Sequence, residues 1–299
     1  MKKKVFIPVI LLILLEIVIV ILFYQDSGIS IRTEYHKWSI FGISFHANTM
    51  LMEWLVSFIM LIPGLIIGFK VKNVLKKLSQ NQEVELSDYI PTRLQSVTEL
   101  LVEFFDDLTK STLKSRGRKY FPLIITLFVF IWISNMMGIF PSFWQIVKTP
   151  DGKPFLEWLE FAEPTRDLNV PVGLMLIVIF VVHGSMIKEF GIRGYLKSYA
   201  DPIFLLFPLN VIGEIAKGIS LAFRLFGNIL GGAIIIIVVS SLVRYIVLPP
   251  LLNAFFGVFV GTIQAFVFSM LALTYTAVAL ADVIETDEEE NKPLNEEDL

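Results

Sequence analysis

The sequence predicts an all-α, polytopic integral membrane protein with about six membrane helices. Hydrophobic residues make up 55% of the 299 residues and charged residues only 18%, whereas a soluble domain carries about a quarter charged residues. The mean hydropathy is +0.70. The apolar runs are long and unbroken, which predicts helices, because the strands of an outer-membrane barrel show only short alternating segments. The chain has no cysteine, which excludes disulfides, thiolate metal sites and thiol catalysis.

Residues 1–48 are predicted to form one helix and an external segment. A methionine and three lysines precede an apolar run from Val5 to about Tyr24. A signal peptide begins in the same way, yet this run is about twenty residues long, contains Glu16 and is followed by no small-residue cleavage site. We interpret it as a retained signal-anchor helix whose N-terminus the lysines keep in the cytoplasm. Residues 25–48 are polar and mixed, so we expect them outside.

Residues 49–284 are predicted to form the membrane domain. Three spans precede its last third, at Thr49–Phe69, Phe121–Phe140 and Val170–Ile187. Each has a basic cluster at the end that the count of spans assigns to the cytoplasm, as the positive-inside rule requires. Residues 94–108 repeat apolar side chains at helical spacing between acids, which predicts an amphipathic helix on the cytoplasmic membrane face.

The last third predicts two long, tilted helices that form an oblique hairpin. Residues 203–247 contain no loop pattern, and as a helix about 44 residues would run some 66 Å, against a hydrocarbon core of about 30 Å. The helix is therefore either steeply tilted or bent near Pro208. Residues 248–250, Leu-Pro-Pro, are interpreted as a turn before a second apolar run over 251–283. Residues 285–299 hold eight acids and one lysine and predict a disordered cytoplasmic tail.

One charge lies within the first of these long runs. On insertion scales, a charged residue such as Arg224 costs about 3 kcal/mol of free energy at the centre of a membrane. Helical spacing puts it on one polar, small-residue face with Lys217, Ser220, Gly227, Asn228 and Gly231. In one interpretation the arginine snorkels or pairs with Glu214, and the glycines only allow helix packing. In the other, the small residues admit a second helix whose carboxylate meets Arg224, and that helix belongs to another subunit.

Three further polar residues have two interpretations each. Gln264 lies in the middle of the second long run, where it forms a helix–helix hydrogen bond, holds the Arg224 guanidinium, or does both. His183, at the cytoplasmic end of its span, is either a structural histidine or part of an ion path. Asp167, at the outer end of the same span with Asn169, either admits cations or is an ordinary loop residue. Three scattered histidines do not predict a metal site.

These motifs resemble one known family. Ser220-Leu-x-x-Arg224-Leu-Phe-Gly-Asn228, followed by Gly231-Gly232, is similar to the signature of subunit a of the rotary F-type ATP synthase. Further blocks agree in order over about residues 50–284: Phe121-Pro-Leu-Ile, Ser134-Asn135-x-x-Gly138-x-x-Pro141, Pro164-Thr-x-Asp167-Leu-Asn169, Gly191-x-x-Gly194-Tyr-Leu-Lys197, Pro208-x-Asn210-x-x-x-Glu214-x-x-Lys217 and Gln264-Ala-Phe-Val-Phe268.

The resemblance implies a stator that clasps a rotating ring of c subunits and supplies two offset half-channels for protons or sodium ions. Arg224 would face the ring, favour the ionised form of each ring carboxylate and block direct leakage. Gln264 would support the arginine, Asn228 would line the ion path, and Asp167 would lie near the outer half-channel. The cytoplasmic half-channel would be lined by Glu214, Lys217 and Ser220, and the ring would pack on Gly227, Gly231 and Gly232.

The resemblance also implies partners and a location. The expected partners are the c ring, the peripheral stalk of b subunits, the rest of the complex and the lipid bilayer, with no nucleic acid and no cofactor. The expected location is a bacterial plasma membrane, with both termini in the cytoplasm. Many members carry a polar pair nine residues after the arginine and seven before the glutamine, but this chain has Ala233 and Gly257 there.

Two other functions are compatible with a polytopic chain. A free-standing secondary transporter or channel would show an internal repeat, and the sequence shows none. An intramembrane hydrolase would need a nucleophile with a base, and Ser220 near Lys217 is the sole candidate pair. The chain also lacks the glycine loop that binds nucleotide phosphates, so we do not expect it to bind ATP itself.

Overall fold

The computed structural model describes residues 37–40, 43–80, 93–139, 163–200, 204–243 and 248–290. Almost all of these residues are helical, which confirms the all-α prediction apart from one small hairpin. The hairpin pairs strand β1 (Lys37–Ile40) with the antiparallel strand β2 (Ile43–His46), and Lys37 lies opposite His46. Strand β2 leads directly into the first described helix.

Eight α-helices follow. They are α1 (Ala47–Ser79), α2 (Arg93–Leu113), α3 (Gly117–Met136), α4 (Asn169–Ala200), α5 (Phe207–Val243), α6 (Leu248–Ala254), α7 (Gly261–Ala279) and α8 (Ala281–Glu290). A π-helix, Phe255–Val260, joins α6 to α7. Short 3-10 helices occur at Lys114–Arg116, Met137–Ile139, Pro164–Arg166 and Phe204–Leu206. The count refers to the residues that the structure describes.

Five helical segments of the described residues are long and apolar enough to cross a membrane. They are Asn48–Lys72, Gln95–Ile139, Asn169–Tyr199, Phe204–Val239 and Leu251–Ala279. Large apolar side chains are exposed along them, for example Phe58 on α1 and Phe180 on α4. Such surfaces need an apolar solvent, so the chain is a multi-pass membrane protein. The sixth predicted span, from Val5 to Tyr24, lies outside the described residues.

The chain divides into two compact units. The first unit consists of the described residues of Met1–Ser57, Val129–Leu174 and Ser220–Val267, and the second of those in Phe58–Phe128, Met175–Ile219 and Phe268–Leu299. In the first unit, Met52 and Val56 of α1 pack against Met137. This apolar packing fixes the start of α1 beside the end of α3.

The second unit has its own core. Phe105 of α2 packs on Phe128 of α3, with ring centroids 4.7 Å apart. The connection between these helices is tight, because a Cβ atom on Gly117 would lie 2.7 Å from the Thr109 carbonyl oxygen. At the same end, Arg116 bridges to Glu189 of α4 at 2.7 Å. The apolar repeat over residues 94–108 is thus helical, as predicted.

The structure corrects the interpretation of the prolines. Pro208 is the second residue of α5 and does not bend it, because a proline in the first turn lacks only an N–H that would have no helical partner. Pro249 and Pro250 likewise belong to the first turn of α6 and are not a turn between helices. The link itself, residues 244–247, lies outside the described residues.

The first six residues of the predicted disordered tail are helical. Residues 285–290 belong to helix α8, which carries Asp282 in its first turn, where a negative charge favours a helix N-terminus. Ile284 is buried and anchors the helix. Residues 291–299, the remainder of the predicted tail, lie outside the described residues, as do residues 1–36 of the predicted N-terminal segment.

Candidate functional site

Arg224 lies on an exposed face of α5. Leu221, Ala222 and Leu225 turn inward and are almost completely buried. Ser220 and Arg224 therefore fall on the opposite, exposed face, together with Gly227 and Asn228. The guanidinium makes no hydrogen bond or ion pair with any residue that the structure describes. The polar, small-residue face predicted from helical spacing is present, and its charge has no partner within the described parts of this chain.

One turn beyond Arg224, two amides connect the long helices. Asn228 Nδ2 of α5 donates a hydrogen bond to Gln264 Oε1 of α7. Gln264 is buried, and its Nε2 has no hydrogen-bond partner among the described residues. The helix–helix hydrogen bond expected for Gln264 is therefore present. The side-chain NH2 group of Gln264 can therefore donate to a ligand or to water. A buried polar atom normally has such a partner.

The three glycines of this region differ in what surrounds them. A Cβ atom on Gly227 or Gly231 would meet nothing within 4 Å. A Cβ atom on Gly232 would lie 3.0 Å from the Phe256 ring of the same chain. The small size of Gly232 therefore admits Phe256 of the same chain, whereas Gly227 and Gly231 leave open space. The contacts Asn228–Gln264 and Gly232–Phe256 also make the two segments antiparallel neighbours, as a hairpin requires.

Asp167 is not an ordinary loop residue in this structure. Its Oδ2 lies 2.7 Å from His46 Nδ1 and accepts a hydrogen bond of 3.1 Å from the Thr49 hydroxyl. Its Oδ1 accepts hydrogen bonds from the backbone and side-chain nitrogens of Asn169. Sequence reasoning missed His46, because 121 residues separate it from Asp167 and no local pattern links them.

The remaining predicted residues surround or adjoin a cavity of about 630 Å³ in the second unit. Glu214 and Lys217 line it and form an ion pair one turn apart on α5. Tyr199 lines it as well, and its hydroxyl lies 3.4 Å from His183 Nδ1. His183 is thus a partnered histidine next to the cavity lining. Polar lining residues that were not predicted as site residues are Lys197, Ser198, Tyr199, Asn210, Tyr275 and Asp282.

The predicted site residues therefore fall into two groups. Arg224, Ser220, Asn228, Gln264 and Asp167 belong to the first unit, and Glu214, Lys217 and His183 belong to the second. Lys217 is engaged by Glu214, which argues against its use as the base of a serine hydrolase. Among the described residues, no group of three or more His, Asp or Glu side chains is placed to hold a metal ion.

Comparisons with known proteins give the family. The family model described as ATP synthase A chain matches residues 50–277. The curated relative ATP synthase subunit a, chloroplastic, from Stigeoclonium helveticum is 33% identical over 269 residues, which cover 90% of this chain and 98% of the relative. These similarities and the membrane helices assign the chain to the membrane sector of ATP synthase, as a non-catalytic subunit that serves ATP synthesis and ion transport. This chain belongs to the ATP synthase A chain family.

Proposed function

We propose that this chain is the ion-translocating stator of the membrane sector, and that Arg224 faces the c ring. The observation that carries the proposal is the exposed Arg224 guanidinium, which has no partner among the described residues. A charge in an apolar helix costs about 3 kcal/mol on insertion scales unless a partner offsets it. Gly227 and Gly231 leave open space on the same face, so a second helix can approach the arginine closely.

The arginine acts on each ring carboxylate in turn. A fixed guanidinium favours the ionised form of a carboxylate that comes within a few ångströms, so the carboxylate releases its proton or sodium ion to one half-channel. As the ring turns, the carboxylate leaves the arginine and takes up a new ion from the other half-channel. The same positive charge opposes direct passage of cations between the half-channels. The Asn228–Gln264 hydrogen bond holds the two helices in register beside this point.

We assign the two half-channels to separate groups of residues. The cavity that Glu214 and Lys217 line is the candidate cytoplasmic vestibule, with Tyr199 and His183 at its edge. Ser220, on the exposed face of α5, is a further candidate residue of the cytoplasmic half-channel. Asp167, with its hydrogen-bonded neighbours, is the candidate group of the outer half-channel. The transported ion is a proton or a sodium ion.

The proposal includes partners and orientation. The partners are the c ring, the b-subunit peripheral stalk and the rest of the complex. We place the chain in a bacterial plasma membrane with both termini in the cytoplasm. Basic residues after the predicted spans support this orientation. Lys70 and Lys72 follow the span Thr49–Phe69, and Lys188 follows the span Val170–Ile187.

The test is ATP-driven ion pumping by the complete complex in vesicles. Arg224→Ala is compared with wild type and with Arg193→Ala, which removes an exposed arginine from α4. Co-purification of all subunits establishes that each variant assembles. We expect Arg224→Ala to lose pumping and Arg193→Ala to retain it. Arg224→Lys should recover only part of the activity, because an ammonium group lacks the planar fork of the guanidinium.

Normal pumping by an assembled Arg224→Ala complex would refute the proposal, since the arginine would then have only a structural role. Loss of assembly in Arg224→Ala is resolved by Arg224→Lys, which keeps the charge. If the lysine variant assembles and pumps at the full wild-type rate, a simple positive charge suffices, and the proposed specific role of the guanidinium is wrong.

A further inference from the structure

Two distant segments of the first unit meet through ionisable side chains. His46 ends strand β2 and immediately precedes α1, while Asp167 lies between the Pro164–Arg166 turn and the start of α4. Their side chains form an ion pair of 2.7 Å, and both are partly accessible to solvent, at 31% for His46 and 13% for Asp167. Solvent therefore reaches a histidine–carboxylate pair at the ends of two candidate membrane spans.

The geometry fixes which atoms exchange protons. An ionised carboxylate only accepts hydrogen bonds, so the proton between the two residues lies on His46 Nδ1 when Asp167 is charged. Asp167 Oδ2 also accepts from Thr49, and Oδ1 accepts twice from Asn169. These donors hold the carboxylate in one orientation. An imidazole can both accept and donate a proton through its two ring nitrogens, which suits it to pass protons between water and a carboxylate.

A second carboxylate extends the group into the candidate span. Glu53 follows Thr49 by one helical turn on α1, so both lie on the same face of that helix. Glu53 is half-buried and lies within electrostatic range of Asp167. The other charged residues described in the first unit are Lys37, which lies opposite His46 in the β-hairpin, Glu163, which lies directly against Gly138, the exposed Arg166, and Arg224.

Position 257, where many members of the family carry a polar residue, is filled by apolar atoms in this chain. Gly257 is buried, and a Cβ atom there would lie 2.5 Å from Ile139 Cγ1 and 2.9 Å from Cδ1. A polar side chain at position 257 would therefore need Ile139 to move. The polar groups described nearby are those of the His46 cluster, defined here as His46, Thr49, Glu53, Asp167 and Asn169.

We propose that the His46–Asp167 pair is the proton-uptake relay at the non-cytoplasmic mouth of the chain, and that Glu53 is its next acceptor. The inference rests on the proposed stator function and assigns new residues to its outer half-channel. It commits the chain to protons, because an imidazole carries a proton but does not carry a sodium ion.

The relay conserves each proton. A hydronium ion of the outer solution donates a proton to neutral His46 at Nε2 and leaves as water, and the Nδ1 proton passes to Asp167 Oδ2, which leaves a neutral ring protonated at Nε2. Protonated Asp167 then gives its proton to the Glu53 carboxylate through water and becomes ionised again. Water returns the ring to the Nδ1 tautomer by accepting the Nε2 proton and donating one to Nδ1. In each passage one proton enters at His46 and one arrives at Glu53.

A purely structural role makes a different prediction. The pair also ties the start of α1 to the turn before α4, so any variant that breaks it reduces stability. His46→Asn separates the roles, because its side-chain amide can donate to Asp167 from about the position of Nδ1 but cannot titrate. A structural tie would survive this change, whereas a relay would lose its neutral-pH proton donor.

The experiment is ATP synthesis by the complete complex in liposomes. Initial rates are measured against lumenal pH, while the potassium diffusion potential is adjusted to hold the total proton-motive force constant. We expect the lumenal pH for half-maximal rate to fall by about one unit or more in His46→Asn, because the first proton acceptor is then a carboxylate, which is a weaker base than an imidazole. Asp167→Asn should shift the profile in the same direction, and the double variant no further.

The matched control is Asp106→Asn, which removes a surface carboxylate that pairs with Lys110 on α2, and its profile should match wild type. Superimposable profiles for His46→Asn and wild type would overturn the relay, as would a uniform loss of rate with an unchanged midpoint. Wild-type synthesis that depends on sodium ions and not on lumenal pH would also overturn it. Because Arg224→Ala tests the stator separately, an inactive Arg224→Ala complex with an unshifted His46→Asn profile refutes only the relay.

Discussion

Asn135 connects three segments of the first unit through buried hydrogen bonds. Its Nδ2 donates to the Gly261 carbonyl oxygen at 3.0 Å, and its Oδ1 accepts from the Thr165 hydroxyl at 2.9 Å. Thr165 is fully buried and Asn135 is 2% exposed. Leucine has the same branching as asparagine, so Asn135→Leu removes both hydrogen bonds and replaces the amide atoms with two somewhat larger methyl groups. We expect this variant to destabilise the subunit.

The magnitude follows from the groups that lose their partners. The Thr165 hydroxyl remains buried without an acceptor for its proton, which costs about 1–3 kcal/mol in soluble proteins. Interhelical polar contacts in membranes contribute about 0.6 kcal/mol of stability on average. We therefore expect Asn135→Leu to reduce the free energy of unfolding by about 1–2 kcal/mol. Thr165→Val in the same chain removes the orphaned hydroxyl. The double variant should therefore be more stable than Asn135→Leu alone, because apolar groups replace both partners.

The assay is the temperature at which tagged subunit leaves the detergent-solubilised complex, followed by size-exclusion fluorescence. A loss of about 1 kcal/mol lowers the melting temperature by about 2–4 °C for a chain of 150–250 residues, so a loss of about 1–2 kcal/mol gives about 2–8 °C, which sets the scale expected here. Ser134→Ala is the matched control. Ser134 is the preceding residue and is also fully buried, but its hydroxyl has no partner among the described residues. Its removal should leave the transition unchanged or raise it.

Two results would contradict this reasoning. If Ser134→Ala lowers the transition as much as Asn135→Leu, any polar-to-apolar change in this helix is harmful and the hydrogen bonds are not the cause. If Thr165→Val fails to recover stability in the Asn135→Leu chain, the orphaned hydroxyl is not the source of the loss. Either outcome would remove the basis for the estimated free energy.

Two further predictions concern glycines and use the same thermal assay. Gly232→Ala should reduce the free energy of unfolding by about 1 kcal/mol and lower the transition temperature, because its Cβ would lie 3.0 Å from the Phe256 ring. Phe256→Leu should recover part of this loss, whereas Gly231→Ala should leave the transition temperature unchanged. Equal effects at both glycines would contradict this. Gly191 has φ 68 and ψ 169 inside α4, so Gly191→Ala should cost about 1–3 kcal/mol. Gly184→Ala, with open space, is its control and should be neutral or stabilising.

The membrane spans were predictable because each depends on a run of local sequence. The apolar stretch beginning at Thr49 became α1, and the one beginning at Val170 became α4, with bounds that extend into the flanking residues. The exposed face around Arg224 was predictable for the same reason, since helical periodicity fixes which side chains share a face. The prolines at 249 and 250 misled the prediction, because the same residues favour both turns and the first turn of a helix.

Contacts between distant segments were not predictable from one sequence. Asp167 was identified as ambiguous, but its partner His46 lies 121 residues away and has no pattern that marks it. The contact between Gly232 and Phe256 was missed because the open and the filled glycines of α5 look identical in sequence. Only the packing of α5 on the following helical segment distinguishes them.

The charged side chains near the candidate ion paths differ in whether a residue of this chain pairs with them. Lys217 is paired with Glu214, and His46 is paired with Asp167. Arg224 has no such partner among the described residues, although an unpaired charge is least tolerable in an apolar segment. Since the Asn228–Gln264 contact holds the surrounding helices without it, the arginine contributes nothing evident to the fold. Under the proposed stator function, a carboxylate of another subunit offsets this free energy cost, and Arg224 is then a residue of the assembly and not of the subunit alone.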